Sequence, residues 1–284
     1  MNKFFAVIPA SLALFAASCT VSEPAEDGAA TSAGARLESL AFYGQKLVKV
    51  SYDSQNRVSE IRVGTPDEYD LYRISYNPLV VESEEWEEVS EWDPETGDYV
   101  EDVMKMRSKE RWGNISLNDA GAIVSMTVTS TDYTVSTPDG SNVEVETEAV
   151  RCVYDAQGHL SRMTAGTDVT TLTWDAQGRL LTVEYVESDF DHNGSYTGEW
   201  SYSNVANTRL QWDPMLPLVG PMQITGLFGK APSYFVKSVS NHYPSGWTEL
   251  IQFSYRVDDN GFIRQSVYAD YDNISMQYRW NYIN

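Results

Sequence analysis

One stretch of the sequence has the residue types and the spacing to bind a calcium ion. Side-chain oxygens stand at alternate positions, on Asp189, Asp191 and Asn193, and a glycine follows where a sharp turn would fall. Calcium loops use this pattern because Ca²⁺ prefers carboxylate and amide oxygens as ligands. Trp200 occupies the twelfth position, where such a loop needs an acid, and strand-like segments flank the stretch instead of helices. The residues therefore favour a hairpin turn, with a calcium site as the alternative.

A second candidate is a surface of aromatic side chains that stack on sugar rings. The chain contains 8 Trp and 18 Tyr. We select Trp86, Trp92, Trp200 and Trp247 as candidate stacking residues for a glycan. The alternative is that these rings pack inside the fold or form cross-strand pairs. A linear row of exposed rings would favour a glycan, whereas buried rings would indicate a scaffold or assembly role.

Motifs for catalysis do not stand out. The three histidines, His159, His192 and His242, are far apart in the sequence and fit no zinc-binding spacing. No glycine-rich phosphate loop or nucleophile elbow stands out either. Because the chain has 41 acids, any single pair of carboxylates is uninformative. We expect no enzymatic activity and no cofactor, with a hydrolytic enzyme acting on extracellular glycan as the alternative.

The N-terminal residues are typical of a segment for export. An apolar run over 4–17 precedes Cys19, and it is too short to span a bilayer permanently, so 1–18 is predicted to be a signal peptide. Small residues stand just before Cys19, and the stretch resembles the lipobox of bacterial lipoproteins. The resemblance implies cleavage before Cys19 and acylation of the thiol and of the new N-terminus, with palmitate among the acyl groups. The alternative is an ordinary secretory signal in which Cys19 falls by chance.

The residues that follow the signal are predicted to form a flexible tether. The segment 19–36 is small and polar and has no apolar periodicity. Its early acids resemble the surface-export signal of Bacteroidetes lipoproteins, which implies an outer-membrane protein displayed on the cell surface rather than on the periplasmic face. Two or more acyl chains would hold such a protein firmly. The remaining residues, 37–284, are predicted to form a single domain.

The charge balance excludes two kinds of partner. The chain carries 20 Lys and Arg against 41 Asp and Glu, a formal net charge of −21. Nucleic acids and anionic lipid surfaces are both bound through clustered basic residues, so we expect neither. The expected partners are the membrane, through the anchor at Cys19, and a glycan or an envelope protein. Much of the acidic excess is expected on the solvated outer side of strands.

A seven-residue pattern recurs five times and predicts hairpins. It reads apolar residue, Asp or Asn, two variable residues, Gly or Asn, one variable residue, apolar residue. The copies lie at 52–58, 117–123, 154–160, 174–180 and 257–263. Asp or Asn caps backbone N–H groups in such a turn, and Gly or Asn accepts the left-handed conformation that closes it. The repeat is therefore interpreted as structural and not as a catalytic motif.

Alternating segments between the turns predict roughly sixteen strands joined mainly by short connections. In 143–149, for example, one face is apolar and the other acidic. Sequential hairpins imply an antiparallel meander, and a sheet this large should curl or close so that no edge is left free. We predict an all-β fold, either a curved sheet or a porin-like barrel, soluble and membrane-tethered. The segment 214–232, rich in Pro and Gly, predicts a short helix or a plug-like loop.

The acidic hairpin 79–112 is expected to be a solvated ribbon. Its returning strand has a base at every second residue, namely Lys105, Arg107, Lys109 and Arg111. We expect this face to oppose Glu85, Glu87 and Glu91, with each cross-strand pair contributing about 0.2–1 kcal/mol. A site for a cation or a protein partner is the alternative.

Several of these features together resemble a known family. The lipobox, the repeated Tyr-Asp-x-x-Gly hairpins, the segment 229–239 and the hairpin at 253–263 look like a Bacteroidetes lipoprotein family described as a domain of unknown function with a porin-like fold. The hairpins at 154–160 and 174–180 also resemble the repeats of RHS/YD shell proteins, since they are 20 residues apart. Both resemblances imply a β architecture, and neither supplies a catalytic residue.

Overall fold

The protein is built almost entirely from β-strands. The computed structural model describes residues 35–42, 45–90, 92–93, 98–99, 103–133, 143–187, 195–209, 211, 220–269 and 275–283. Its strands are β1 (Arg36–Phe42), β2 (Gln45–Tyr52), β3 (Val58–Gly64), β4 (Glu68–Tyr76), β5 (Leu79–Val89), β6 (Trp92–Asp93), β7 (Asp98–Tyr99), β8 (Val103–Leu117), β9 (Ile123–Asp132), β10 (Glu144–Tyr154), β11 (Leu160–Ala165), β12 (Asp168–Trp174), β13 (Leu180–Val186), β14 (Tyr196–Ala206), β15 (Tyr234–His242), β16 (Thr248–Val257), β17 (Ile263–Ala269) and β18 (Ser275–Ile283). A 3-10 helix covers Gly220–Thr225. Among the described residues, no helix is long and apolar enough to cross a membrane.

Sixteen of the strands form one closed antiparallel barrel, which confirms the predicted all-β meander. Apart from the pair of β1 and β18 that closes the ring, neighbours in the barrel are neighbours in the chain, except that β5 lies beside β8 because β6 and β7 pair with each other outside the barrel. The first and last strands close the ring: Leu40 of β1 lies opposite Trp280 of β18. Across the same seam, the Asn281 side-chain amide donates a hydrogen bond of 3.0 Å to Ser39 Oγ.

The five predicted hairpin turns are all present, at 53–57, 118–122, 155–159, 175–179 and 258–262, and are called the Asp turns below. In each of them the first residue donates its N–H to the carbonyl of the fifth, and the fourth donates to the carbonyl of the first. The first side chain also caps two backbone N–H groups; Asp175 Oδ1, for example, accepts from Gln177 and Arg179 at 2.9 Å each. The left-handed position is glycine in four turns and Asn56, at φ 63°, in the first. The sequence rule therefore describes real turn chemistry.

A basic side chain at the fifth position strengthens three of the Asp turns. Arg179 Nε lies 2.6 Å from Asp175 Oδ2, and Arg57 Nη2 lies 2.7 Å from Asp53 Oδ2. Partial burial would raise the pKa of Asp175, but hydrogen bonds from the Arg179 backbone and side chain outweigh it, so the pKa is lowered. The backbone hydrogen bond from Arg57 is the main cause of the lowered pKa of Asp53. Both carboxylates are thus held in the ionised form that caps the turn.

The described part of the predicted irregular segment 214–232, from residue 220 onward, folds as a plug against the Asp turns. We call residues 220–233 the plug; it contains the 3-10 helix, whose Met222 is buried with Leu227 and Phe228 in the core cluster. Its backbone bonds to three Asp turns or their strands: Ile123 N–H donates to Leu227 O, Lys230 N–H to Gly158 O and Ser233 N–H to Gly178 O. The Phe228 ring also packs edge-on against Trp112, with centroids 6.0 Å apart. The plug therefore fills one end of the barrel.

In β10 the acidic face, and not the valine face, points to the barrel interior, which is the reverse of what an apolar interior would require. Val150 and Cys152 are buried, and Glu144, Glu146 and Glu148 share their face, so these acids point to the barrel interior, or lumen. The valines between them point outward, and Val145 is 60% exposed. The expectation that the acidic excess lies mainly outside the strands is therefore wrong on this strand. A lumen this wide does not need an apolar lining at every level, because water reaches it.

The charged ribbon between β5 and β8 forms, and the predicted pairing is confirmed in part. Lys105 lies opposite Glu87, as expected, whereas Arg111 lies opposite Glu82 and Lys109 opposite Glu84, on the outer face of the barrel. The reason is a register shift between Glu85 and Trp86, which a sequence pattern does not reveal. On this outer face Arg111 Nη1 lies 2.8 Å from Glu82 Oε1, and Arg73 Nη1 lies 3.0 Å from Glu84 Oε1. Glu91 lies outside the described residues.

Candidate functional site

The two ends of the barrel differ in their connections. All five Asp turns and the plug lie at one end, the turn end, and the connections 65–67, 166–167 and 243–247 lie at the other, the loop end. The chain enters the barrel at the turn end, since β1 starts there and the Arg36 guanidinium donates to the side-chain oxygen of Asn56. Any tether preceding residue 36 is thus attached to the plugged end.

Four aromatic rings form a row that runs from the lumen to the loop-end surface. Ring centroids are 5.8 Å apart between Tyr185 and Tyr196, 5.9 Å between Tyr196 and Tyr243, and 4.8 Å between Tyr243 and Trp247. Tyr185 is buried, whereas Trp247 is 55% exposed. Tyr243 and Trp247 come together because the turn 243–247 has the two backbone hydrogen bonds of an Asp turn, although Tyr replaces Asp. The row thus presents one stacked pair to solvent.

A carboxylate is held beside the stacked pair. Glu249 Oε2 accepts a hydrogen bond of 3.1 Å from Asn241 Nδ2 and one of 3.4 Å from the Tyr243 hydroxyl. Burial, followed by the Glu249 charge, raises the pKa of Tyr243 to about 12, and the same two causes raise that of Tyr196 to about 12. Among the described residues Glu249 Oε1 accepts no hydrogen bond, so one oxygen is fixed and the other is available to a ligand.

The inner end of the aromatic row, at Tyr185, which we call its foot, is polar as well. The Tyr185 hydroxyl donates to Asp168 Oδ2 at 3.1 Å, and both residues are buried. Burial and the Asp168 carboxylate raise the pKa of Tyr185 well above its usual value. Thr170, opposite Tyr185 on β12, is 1% exposed, and its hydroxyl has no hydrogen-bond partner among the described residues. A buried hydroxyl without a partner is energetically costly unless a ligand or water satisfies it.

The predicted stacking residues are not brought together. Trp247 is the exposed end of the aromatic row, but Trp200 is buried, 7% exposed, and offers no face to a sugar. Trp86 stacks on Tyr69 at 6.4 Å and donates its indole N–H to Glu84. It lies on β5, nearly opposite the β15–β16 hairpin in the strand order, so it and Trp247 cannot form one row. The side chain of Trp92 lies outside the described residues.

Other predicted site residues are only partly covered by the structure. Cys19 and the calcium-loop residues Asp189, Asp191 and Asn193 lie outside the described residues. Within the described ranges, no group of three or more His, Cys, Asp or Glu side chains is placed to hold a metal ion. Cys152 is a buried free thiol, as expected, and burial raises its pKa to about 12.

One contact has the chemistry of a catalytic pair but a structural explanation. His159 Nδ1 lies 3.0 Å from Asp155 Oδ2, and the imidazole stacks on Trp174 with centroids 4.3 Å apart. The equivalent position in the next Asp turn is Arg179, which makes the same contact with its own aspartate. The pair is therefore interpreted as a turn stabiliser in which histidine replaces arginine.

The geometry defines a sixteen-stranded all-β barrel of porin-like type, filled at one end and lined with acids and aromatic rings at the other. Comparison with known proteins fits this class. The family model described as RHS Repeat matches residues 154–188, which contain two adjacent Asp turns. No curated protein matches the sequence. The barrel and the repeat match fit the resemblance to a porin-like Bacteroidetes domain.

Two solved structures are similar to this chain. A porin-like protein from Bacteroides uniformis ATCC 8492 is 13% identical, with a TM-score of 0.48, over 83% of this chain and 90% of that one. A porin-like protein from Bacteroides vulgatus ATCC 8482 is also 13% identical, with a TM-score of 0.35, over 83% of this chain and 92% of that one.

Proposed function

We propose that the protein is a non-enzymatic, lipid-anchored protein of the bacterial outer membrane that binds a glycan at the loop end of its barrel. The lipobox at Cys19 supports the anchor, and the acidic tether supports display on the cell surface. Because β1 starts at the turn end, the anchor would hold the plugged end towards the membrane. The loop end, with its aromatic row, would then face away from the membrane and towards ligands.

The stacked pair of Tyr243 and Trp247 beside Glu249 is the observation that carries the proposal. Saccharide sites combine an aromatic face, which covers the apolar face of the sugar ring, with a few fixed polar groups that bind its hydroxyls. Trp247 supplies an exposed face, and Glu249 supplies an acceptor whose position is set by Asn241 and Tyr243. These groups come from one hairpin and need no rearrangement before they bind.

A glycan array tests the proposal, with residues 20–284 produced without the acyl anchor so that every strand of the barrel is kept. We expect selective binding, and we expect Trp247→Ala to weaken it by about tenfold or more, since a central aromatic contact contributes about 2 kcal/mol or more. Val145→Ala is the matched control, because it shortens an exposed apolar side chain on the outer wall. Binding to no glycan, or equal binding by the two variants, would contradict the proposal.

A further inference from the structure

The wall of the lumen across from the aromatic row is strongly acidic. Seven carboxylates on β4, β5, β8, β9 and β10 share a face with buried residues such as Ile74, Val81, Trp112, Val128 and Val150, and therefore point inward. They belong to Asp70, Glu85, Glu110, Asp132, Glu144, Glu146 and Glu148. Cross-strand pairs bring them together; Asp70 lies opposite Glu85, and Asp132 opposite Glu144.

The negative charges act on a common region. Burial raises the pKa of Tyr72 well above its usual value, and the carboxylates of Asp70, Glu110 and Glu85, which come from three different strands, raise it further. Two bases offset part of this charge: Arg107 Nη1 lies 3.0 Å from Glu87 Oε2 and 4.0 Å from Glu85 Oε1, and Lys105 lies opposite Glu87 on the same inward face. The other bases of this wall, Arg73, Lys109 and Arg111, pair with acids on the outer face. The lumen therefore keeps a negative potential that would concentrate cations.

An independent feature on the aromatic side points to a ligand in the same lumen. The Thr170 hydroxyl, nine-tenths or more buried, points inward beside Tyr185 and has no hydrogen-bond partner among the described residues. It lies at the foot of the row that ends in Trp247, next to the buried carboxylate of Asp168. A hydroxyl on a ligand or on a water would satisfy it.

We infer that the glycan bound at the loop end is an amine-bearing saccharide, whose ammonium groups face the acidic wall while one of its rings stacks on the exposed face of Trp247. This inference rests on the proposed function. A neutral sugar could donate hydrogen bonds to these carboxylates but would gain no attraction from their charge, and a sugar acid would be repelled by them. An ammonium group gains both from the carboxylates and from the aromatic faces, over which cations are attracted.

Calorimetry with two matched ligands tests the inference on residues 20–284. A fully deacetylated β-1,4-linked glucosamine oligosaccharide is compared with its N-acetylated form of equal length at about pH 6, where carboxylates are ionised and amines largely protonated. We expect the deacetylated ligand to bind about tenfold or more tightly, and its advantage to shrink as salt is raised from about 0.05 to about 0.5 M.

Two pairs of substitutions separate the lumen from the outer wall. Glu110→Gln with Glu148→Gln removes two inward charges, and we expect it to abolish most of the preference for the amine. Glu184→Gln with Glu199→Gln makes the same charge change on exposed outward residues of β13 and β14, and the preference should persist. Equal melting temperatures of the two double variants would show that a loss reflects charge and not unfolding.

The outcomes distinguish this inference from the proposed function. Equal, salt-independent binding of the two oligosaccharides would overturn the amine preference and leave glycan binding intact. Spermidine binding as tightly as the deacetylated oligosaccharide, with no effect of Trp247→Ala on either, would overturn the inference in favour of a simple cation site. Binding of neither oligosaccharide would overturn it, and failure on the whole glycan array would overturn the proposed function as well.

Discussion

Gly229→Ala is expected to lower the free energy of unfolding by about 3 kcal/mol, because it forces the plug away from the Asp turn at 155–159. Gly229 has φ +88°, and a Cβ atom there would lie 2.7 Å from the Gly158 carbonyl oxygen and 2.9 Å from the Tyr154 ring. Alanine would therefore be strained both by its backbone conformation and by a close approach to backbone that cannot move freely. Urea denaturation measures the loss.

Gly226→Ala is the matched control for the plug. Gly226 also has a positive φ, +75°, but a Cβ atom there would meet nothing within 4 Å. Its free energy of unfolding should fall only by the cost of holding alanine in the left-handed backbone conformation, about 1–2 kcal/mol. Equal losses for the two variants would contradict the close contact between the plug and the Asp turns.

Trp280→Ala is expected to destabilise the protein by about 3–5 kcal/mol, the range for truncating a large buried aromatic residue. Trp280 is 1% exposed and lies opposite Leu40 at the seam where the last strand meets the first. Its indole N–H donates a hydrogen bond of 2.9 Å to Ser266 Oγ, which would lose this partner. The substitution thus weakens the packing that closes the ring.

Trp247→Ala provides the contrast, since it removes the same side-chain type from an exposed hairpin. Its effect on stability should stay within about 0.5 kcal/mol, as for most surface substitutions. Chemical denaturation of the two variants under one set of conditions makes the comparison. If Trp280→Ala cost as little as Trp247→Ala, the closure of the barrel between β1 and β18 would be wrong.

The features that the sequence predicts well are those that depend on neighbouring residues. The Asp turns depend on a carboxylate that caps backbone groups two and four positions later and on a residue that tolerates positive φ, so their spacing is visible in the chain. The same rule, with Tyr in place of Asp, would have indicated the turn that brings Tyr243 and Trp247 together. The number of strands and the meander follow from these turns.

The features that the sequence does not predict depend on pairing between distant segments. Alternation in 143–149 separates acids from valines, but it does not indicate which face points to the lumen. The register shift beside Trp86 similarly changes the partners of Lys109 and Arg111 without any local signal. The aromatic row joins two strands and a turn, so neither its continuity nor the burial of Trp200 follows from composition.

Hydrogen–deuterium exchange with and without bound ligand tests the central claim that a glycan binds at the loop end. The experiment uses residues 20–284 and the glycan that binds most tightly on the array. We predict slower exchange of the amides in 241–249 on binding, because the ligand covers the hairpin that presents Trp247, and unchanged exchange in the plug at 220–233. Slower exchange confined to the plug and the Asp turns, with 241–249 unaffected, would contradict the account.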